Sequence, residues 1–172
     1  MFQTTGATLT RVETDGRDFA GVKQCGAGIG LNNADNTTLN QCYAHHNGYS
    51  HGFAFYRSRV IRTYGCGAEY NGQTNGSGTA TAGTKGDGFN HEQTFDTIHQ
   101  SPYSGFNSLS EFRYYGNADT ATYPSAYGGD TYPHEVHDLT ITDGGPWDVR
   151  IDNLQSTLPV LSNCPTPVYA YT

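Results

Sequence analysis

One heptapeptide occurs twice in this chain, as CYAHHNG (Cys42–Gly48) and as CGAEYNG (Cys66–Gly72). The shared pattern is C-x-A-x-x-N-G, and Cys42 to Cys66, Ala44 to Ala68, Asn47 to Asn71 and Gly48 to Gly72 are all 24 residues. A fixed period of this length signals one structural unit stacked on the next. A glycine column frames the same unit: Gly28 to Gly52 is 24 residues and Gly52 to Gly88 is 36. Ile29 to Cys42 and Phe53 to Cys66 are both 13. The framework is therefore constant and the segment after C-x-A grows, from 45–51 to 69–87. Solenoids behave in this way: insertions become loops on one side while the rungs stay in register.

Within each rung the residues alternate as in a strand. Ile29/Leu31, Phe53/Phe55 and Phe89/His91 are expected to point inward, and Gly30/Asn32, Ala54/Tyr56 and Asn90/Glu92 outward. Parallel rungs stack about 4.8 Å apart, so equivalent positions become columns. These are Leu31, Phe55 and His91; Asn32, Tyr56 and Glu92; and, just before the strand, Ala27, His51 and Asp87. Cys25, Cys42 and Cys66 are expected to form a column of small residues, and Asn47 with Asn71 to begin an amide ladder at a turn. The cysteine column admits disulfides, since neighbouring rungs fall within bridging range. It equally admits free thiols packed as small apolar groups.

Composition agrees with short strands and many turns. Of 172 residues 22 are Gly and 13 Tyr, and 13% are aromatic, which a disordered chain would lack. The net charge of −7 argues against nucleic acid as a partner. No run of about 18 apolar residues marks a membrane span. The N-terminal stretch MFQTTGATLT has neither a basic nor an apolar leader region. A removed leader, a chain that is an internal fragment, or export by another route such as release in a virus particle is expected. No C-x-x-C pair or other ligand spacing points to a metal, and no cofactor is implied. The expected organisation is one domain over 1–172, with its clearest coils at 25–100, a loop-rich insert at 101–135 and further strands at 136–172.

C-x-A-x-x-N-G followed by G-F/I-x-F/L resembles the right-handed parallel β-helix repeat. That repeat is shared by pectate-lyase-like enzymes, mannuronan epimerases and bacteriophage tailspikes. The resemblance implies an all-β, right-handed parallel β-helix with long side loops. It also implies a polysaccharide or cell-surface glycan as partner, a polysaccharide lyase or glycoside hydrolase if the chain is an enzyme, an extracellular or virion setting, and a homotrimer of short spikes. A non-catalytic shaft or adhesin-like module that oligomerises is the alternative. The epimerase motif Y-G-F-D-P-H-D/E has its nearest counterpart in DGFNHE (Asp87–Glu92), which lacks the Tyr and the Pro and carries Asn90 where Asp is expected. No catalytic role transfers on it.

The residues themselves nominate two sites. Asp87 and Glu92 are five positions apart on one strand, roughly 16 Å if extended, too far for a hydrolase pair. Neighbouring columns instead set His51 beside Asp87 and Tyr56 beside Glu92, a candidate base with its carboxylate and a candidate proton donor. These four are the catalytic candidates, with ordinary polar surface as the competing reading. His45/His46 and the matching Glu69/Tyr70 form a patch that fits a sugar, a metal or a solvated turn. Glu69 and Tyr70 are taken as substrate contacts, as are Tyr114, Tyr115 and Tyr127 from a run of aromatic loops. His91 falls in an inward column, where a histidine bonded to a backbone carbonyl is expected.

Overall fold

A computed structural model of the chain describes residues 5–16, 27–48, 50–72, 86–115, 134–142, 147–152, 159–166 and 169–171. Within them are the strands β1 (Thr8–Thr10), β2 (Glu13–Asp15), β3 (Ile29–Asn32), β4 (Asp35–Asn40), β5 (Tyr43–His45), β6 (Phe53–Tyr56), β7 (Arg59–Tyr64), β8 (Gly67–Glu69), β9 (Phe89–Glu92), β10 (Phe95–Gln100), β11 (Tyr103–Gly105), β12 (Ser110–Tyr115), β13 (Glu135–His137), β14 (Thr140–Thr142), β15 (Trp147–Asp152), β16 (Val160–Ser162) and β17 (Tyr169–Tyr171). They form three parallel sheets: sheet A runs β3-β6-β9-β12-β15-β17, sheet B runs β1-β4-β7-β10-β13-β16, and sheet C runs β2-β5-β8-β11-β14. From β3 to β14 the chain passes from A to B to C in each coil and then climbs to the next. This is a right-handed parallel β-helix, as the repeat implied.

Single residues in the left-handed region turn the corners. They include Asn33, Arg57 and Gln93 between sheets A and B, then Arg11, Gln41, Gly65, Ser101 and Asp138 between B and C, then His46, Tyr70 and Phe106 after C. Such a φ costs an L-residue about 1–2 kcal/mol. The cost is offset because the interstrand ladder continues through the bend: Gln41 N–H donates to Tyr64 C=O at 2.8 Å, Arg57 N–H to Glu92 C=O at 2.9 Å, and His46 N–H to Glu69 C=O at 3.1 Å.

The inward columns lie where alternation put them. Phe53, Phe89 and Phe112 stack at 4.8 and 4.7 Å between centroids, and Leu31, Phe55, His91 and Tyr114 follow one another in register. Of the outward set Asn32, Tyr56 and Glu92 are half-buried, whereas Ala54 and Asn90 are buried. Residues 101–115, expected to be loop, contain β11 and β12. Strand β11 is only three residues long and its Tyr-Ser-Gly carries no alternation, so periodicity alone could not reveal it. Leu139/Ile141 and Val149/Ile151 belong to successive faces of further coils, with β14 in sheet C and β15 in sheet A.

The cysteine column also needs correction. Glu13 pairs with Tyr43 and Thr14 with Ala44, so the neighbour of Cys42 on the first-coil side is Val12. Cys25 lies outside the described residues. Cys42 and Cys66 are buried free thiols, and each points at carbonyls of its own and the preceding coil: Asn40 and Leu9 for Cys42, Tyr64 and Leu39 for Cys66. Burial pushes the Cys66 thiol up to about 12, which keeps it protonated and unreactive.

The Asn of the repeat and the glycine column before sheet A have one explanation. Asn47 donates its amide to Asn71 Oδ1 at 2.8 Å, and Asn71 donates to Asn107 Oδ1 at 2.8 Å. Asn107 in turn donates to Glu111 Oε2 at 2.5 Å. The same Oδ1 atoms accept the backbone N–H of Asn47 at 3.2 Å and of Asn71 at 3.1 Å. The ladder needs room, and glycine supplies it. A Cβ on Gly28 would sit 2.6 Å from the Asn47 amide nitrogen, one on Gly52 2.7 Å from that of Asn71, and one on Gly88 2.9 Å from that of Asn107.

A second polar chain runs through the interior. Thr63 Oγ1 lies 2.8 Å from His99 Nδ1, His99 Nε2 lies 2.8 Å from His91 Nε2, and His91 Nδ1 lies 3.0 Å from Arg113 C=O. A carbonyl only accepts, so His91 carries its proton on Nδ1. Its bare Nε2 then accepts from His99 Nε2–H, and the bare Nδ1 of His99 accepts from the Thr63 hydroxyl. His134 joins by its Nδ1, 2.7 Å from Thr97 Oγ1. Burial lowers all three histidines, His99 to about 3 and His134 to about 4, with His91 driven well down by burial and by its two neighbours.

Two outcomes follow. Asn71→Ala leaves the buried donors of Asn47 without an acceptor and should cost roughly 3 kcal/mol or more in urea unfolding. Between pH 6.5 and about 4 the unfolded chain binds protons that the folded interior refuses. Stability is therefore complete above pH 6.5 and falls on acidification through that window. An unfolding midpoint that stays level from pH 7 to 4 would contradict neutral interior histidines.

Candidate functional site

The catalytic candidates gather on the outer face of sheet A. His51 and Asp87 each precede their strand by one glycine, so adjacent coils bring them side by side. His51 Nδ1 is 2.8 Å from Asp87 Oδ2 and 3.3 Å from the Asp87 backbone nitrogen. Strand β12 adds two groups from the next coil: the Ser110 hydroxyl donates to Asp87 Oδ1, and Arg113 Nη1 stands 3.8 Å from Asp87 Oδ2. The Asp87 side chain is 0% and the His51 side chain 3% exposed, so this network is sealed from a polymeric ligand. Its carboxylate is held by groups from the preceding and following coils and locks three coils together.

Five positions further along the chain the wall opens. Tyr56 and Glu92 are register partners on β6 and β9, one step from Asn32 on β3. With the corner residue Arg57 these three line a cleft of about 240 Å³. Arg57 Nε donates to Gln93 Oε1 at 3.2 Å, which ties the two corners beside the cleft. Burial and the nearby Glu92 carboxylate raise the Tyr56 phenol above its usual range, while the Asn90 amide donates to its oxygen. The phenol is thus a neutral hydroxyl beside an acceptor, a guanidinium and an amide. A larger space of about 460 Å³, lined by Leu9, Val12, Ile29 and Leu31 among others, belongs to the apolar interior at the first coil.

The remaining candidates separate. Glu69 is buried on sheet C, where its Oε2 accepts from the Tyr43 hydroxyl; it also bonds Tyr103, whose phenol burial and Glu69 push up to about 12. Tyr70 is a corner residue stacked between His46 (5.0 Å, 12°) and Phe106 (4.7 Å, 2°). Tyr114 is a correction. It is 1% exposed and stacks on His91 at 4.5 Å, because alternation along β12 turns it inward with Phe112. It is a core residue rather than a recognition ring. Tyr115 follows it on β12, in register with Glu92 and with Asp152. Tyr127 lies outside the described residues.

Arg57, Ser110 and Arg113 were missed by sequence reasoning. A signal existed for β12: Asn107 stands 36 residues after Asn71, the same step as Gly52 to Gly88, and Phe112/Tyr114 alternate. No protein-family model, curated protein or solved structure matches the chain. The fold is one generally associated with carbohydrate binding and degradation, and the class rests on the three-sheet parallel architecture alone.

The sealed network and the open cleft respond differently to substitution. Asp87→Asn, which leaves His51 and Arg113 facing a neutral amide, should cost about 3 kcal/mol in urea unfolding. Glu92→Gln, at the half-buried cleft, should stay within about 0.5 kcal/mol of the parent. Equal effects would show that the cleft is as structural as the network beneath it.

Proposed function

We propose that the protein binds a polysaccharide along the outer face of sheet A, with Tyr56 and Glu92 as its principal contacts. The observation that carries this reading is the convergence of Tyr56, Glu92, Arg57 and Asn32 in one cleft on a β-helix. A sugar presents C–H faces that pack on an aromatic ring and hydroxyls that pair with carboxylate, guanidinium and amide groups. Parallel coils repeat that wall at strand spacing, which suits an extended chain more than a compact ligand. His51 and Asp87 support the wall from beneath. If the protein also cleaves its glycan in the manner of a lyase, the neutral Tyr56 phenol is the proton donor and His51, released from its cover, the base. A tailspike-like or secreted setting accommodates either activity.

The competing reading is a non-catalytic shaft or adhesin-like module that oligomerises. The large apolar side chains exposed among the described residues are Tyr64 and Val160, which make no broad apolar face for a partner chain. That favours glycan recognition.

A panel of acidic and neutral polysaccharides, assayed by affinity electrophoresis and calorimetry, tests the proposal. Binding should appear for at least one glycan, and Tyr56→Ala and Glu92→Gln should each weaken it about tenfold, or ~1.4 kcal/mol, with unchanged melting. New unsaturated or reducing ends in the same mixtures would add cleavage. Trimers in solution with no bound glycan would sink the reading and leave the shaft.

A further inference from the structure

The outer face of sheet C carries an arrangement unrelated to the sheet A cleft. Asp15 on β2 is in register with His45 on β5, so two ligand-type side chains from adjacent coils lie side by side. His46 follows His45 directly, and in a regular strand it would point to the opposite face. Its positive φ of 56° breaks the alternation and brings the two imidazoles together, with Nδ1 to Nδ1 at 2.7 Å. His45 Nδ1 also lies 3.8 Å from Asp15 Oδ1, and one ligand atom from each of the three residues falls within 4.8 Å of the others.

We propose that Asp15, His45 and His46 bind one divalent transition-metal ion, of the zinc, cobalt and nickel class. The groups around them are those of a metal site. His45 Nε2 lies 3.0 Å from Glu13 Oε1. A carboxylate there takes the Nε2 proton as its donor and leaves the Nδ1 lone pair bare and facing His46. Metal-ligating histidines carry this kind of outer carboxylate partner. Both rings are also held in place: His45 stacks on Tyr43 at 4.5 Å, and His46 on Tyr70 at 5.0 Å. With bonds of about 2.0–2.2 Å, ligand atoms around tetrahedral zinc stand about 3.4 Å apart. To reach that spacing the two nitrogens would open by about 0.7 Å and the Asp15 oxygen would close on His45 by about 0.4 Å. The His46–Asp15 edge, within 4.8 Å, would close by up to about 1.4 Å. Two imidazoles and one carboxylate select borderline metals over calcium or magnesium. Three protein ligands leave a fourth position for water, and the ion would pin the first coil to the second.

The test uses the untagged full chain after chelator treatment. Cobalt(II) should give visible d–d absorption that saturates at one equivalent, and zinc alone should displace it and raise the melting temperature. His46→Ala and Asp15→Asn should each weaken zinc binding at least tenfold. Glu13→Gln should weaken it 10–100-fold while keeping the cobalt spectrum. His137→Gln, which removes a histidine paired with Glu135 elsewhere, should change nothing. Far-ultraviolet dichroism of each variant shows whether it is folded, and Asp15→Asn, at an exposed position, is the variant least able to disturb the core. Absence of d–d bands in the parent, or parent-like binding by both His46→Ala and Asp15→Asn, overturns the site.

Discussion

The buried amide ladder from Asn47 through Asn71 and Asn107 to Glu111 is the interaction on which the coil geometry depends. Its two Asn–Asn rungs each satisfy a side-chain amide and a backbone N–H with a single oxygen, in a buried place. An amide can bridge to its counterpart only if successive coils repeat at strand spacing, so the ladder and the sheets enforce one register. It also forces the glycine column, because a side chain at Gly28, Gly52 or Gly88 would occupy the space of the amides. Asn and Gly recur together for one steric reason.

With the register held, coil length becomes free. Thr8, Thr38, Arg62, Ile98, Glu135 and Val160 succeed one another up sheet B, at steps of 30, 24, 36, 37 and 25 residues. The surplus over the 24-residue coil enters between sheets C and A after β2 and β8, and between sheets A and B after β12. Hydrogen-bond ladders tolerate this because they count strands and not residues.

The interior is unusually polar for a structure with so little core. Three neutral histidines and two threonines run among the stacked phenylalanines, and proton order along that chain gives each ring nitrogen a defined role. On the outer faces the same polar residue types do other things. His51 is locked to Asp87 on sheet A, and His45 faces His46 and Asp15 on sheet C. Burial and neighbours, not residue type, separate the three groups of histidines.

The sequence alone determined the class of fold, the inward columns and the amide ladder, because a 24-residue repeat and a two-residue alternation are local patterns that survive in one dimension. It also set His51 beside Asp87 and Tyr56 beside Glu92, since their coils share visible glycines. Only the tertiary structure decided that Tyr114 is core, that Val12 adjoins Cys42, that Arg113 reaches Asp87, and that Asp15 meets His45. Those pairings cross coils of unequal length, and their registers come from backbone hydrogen bonds between strands. Counting residues along the chain cannot supply them.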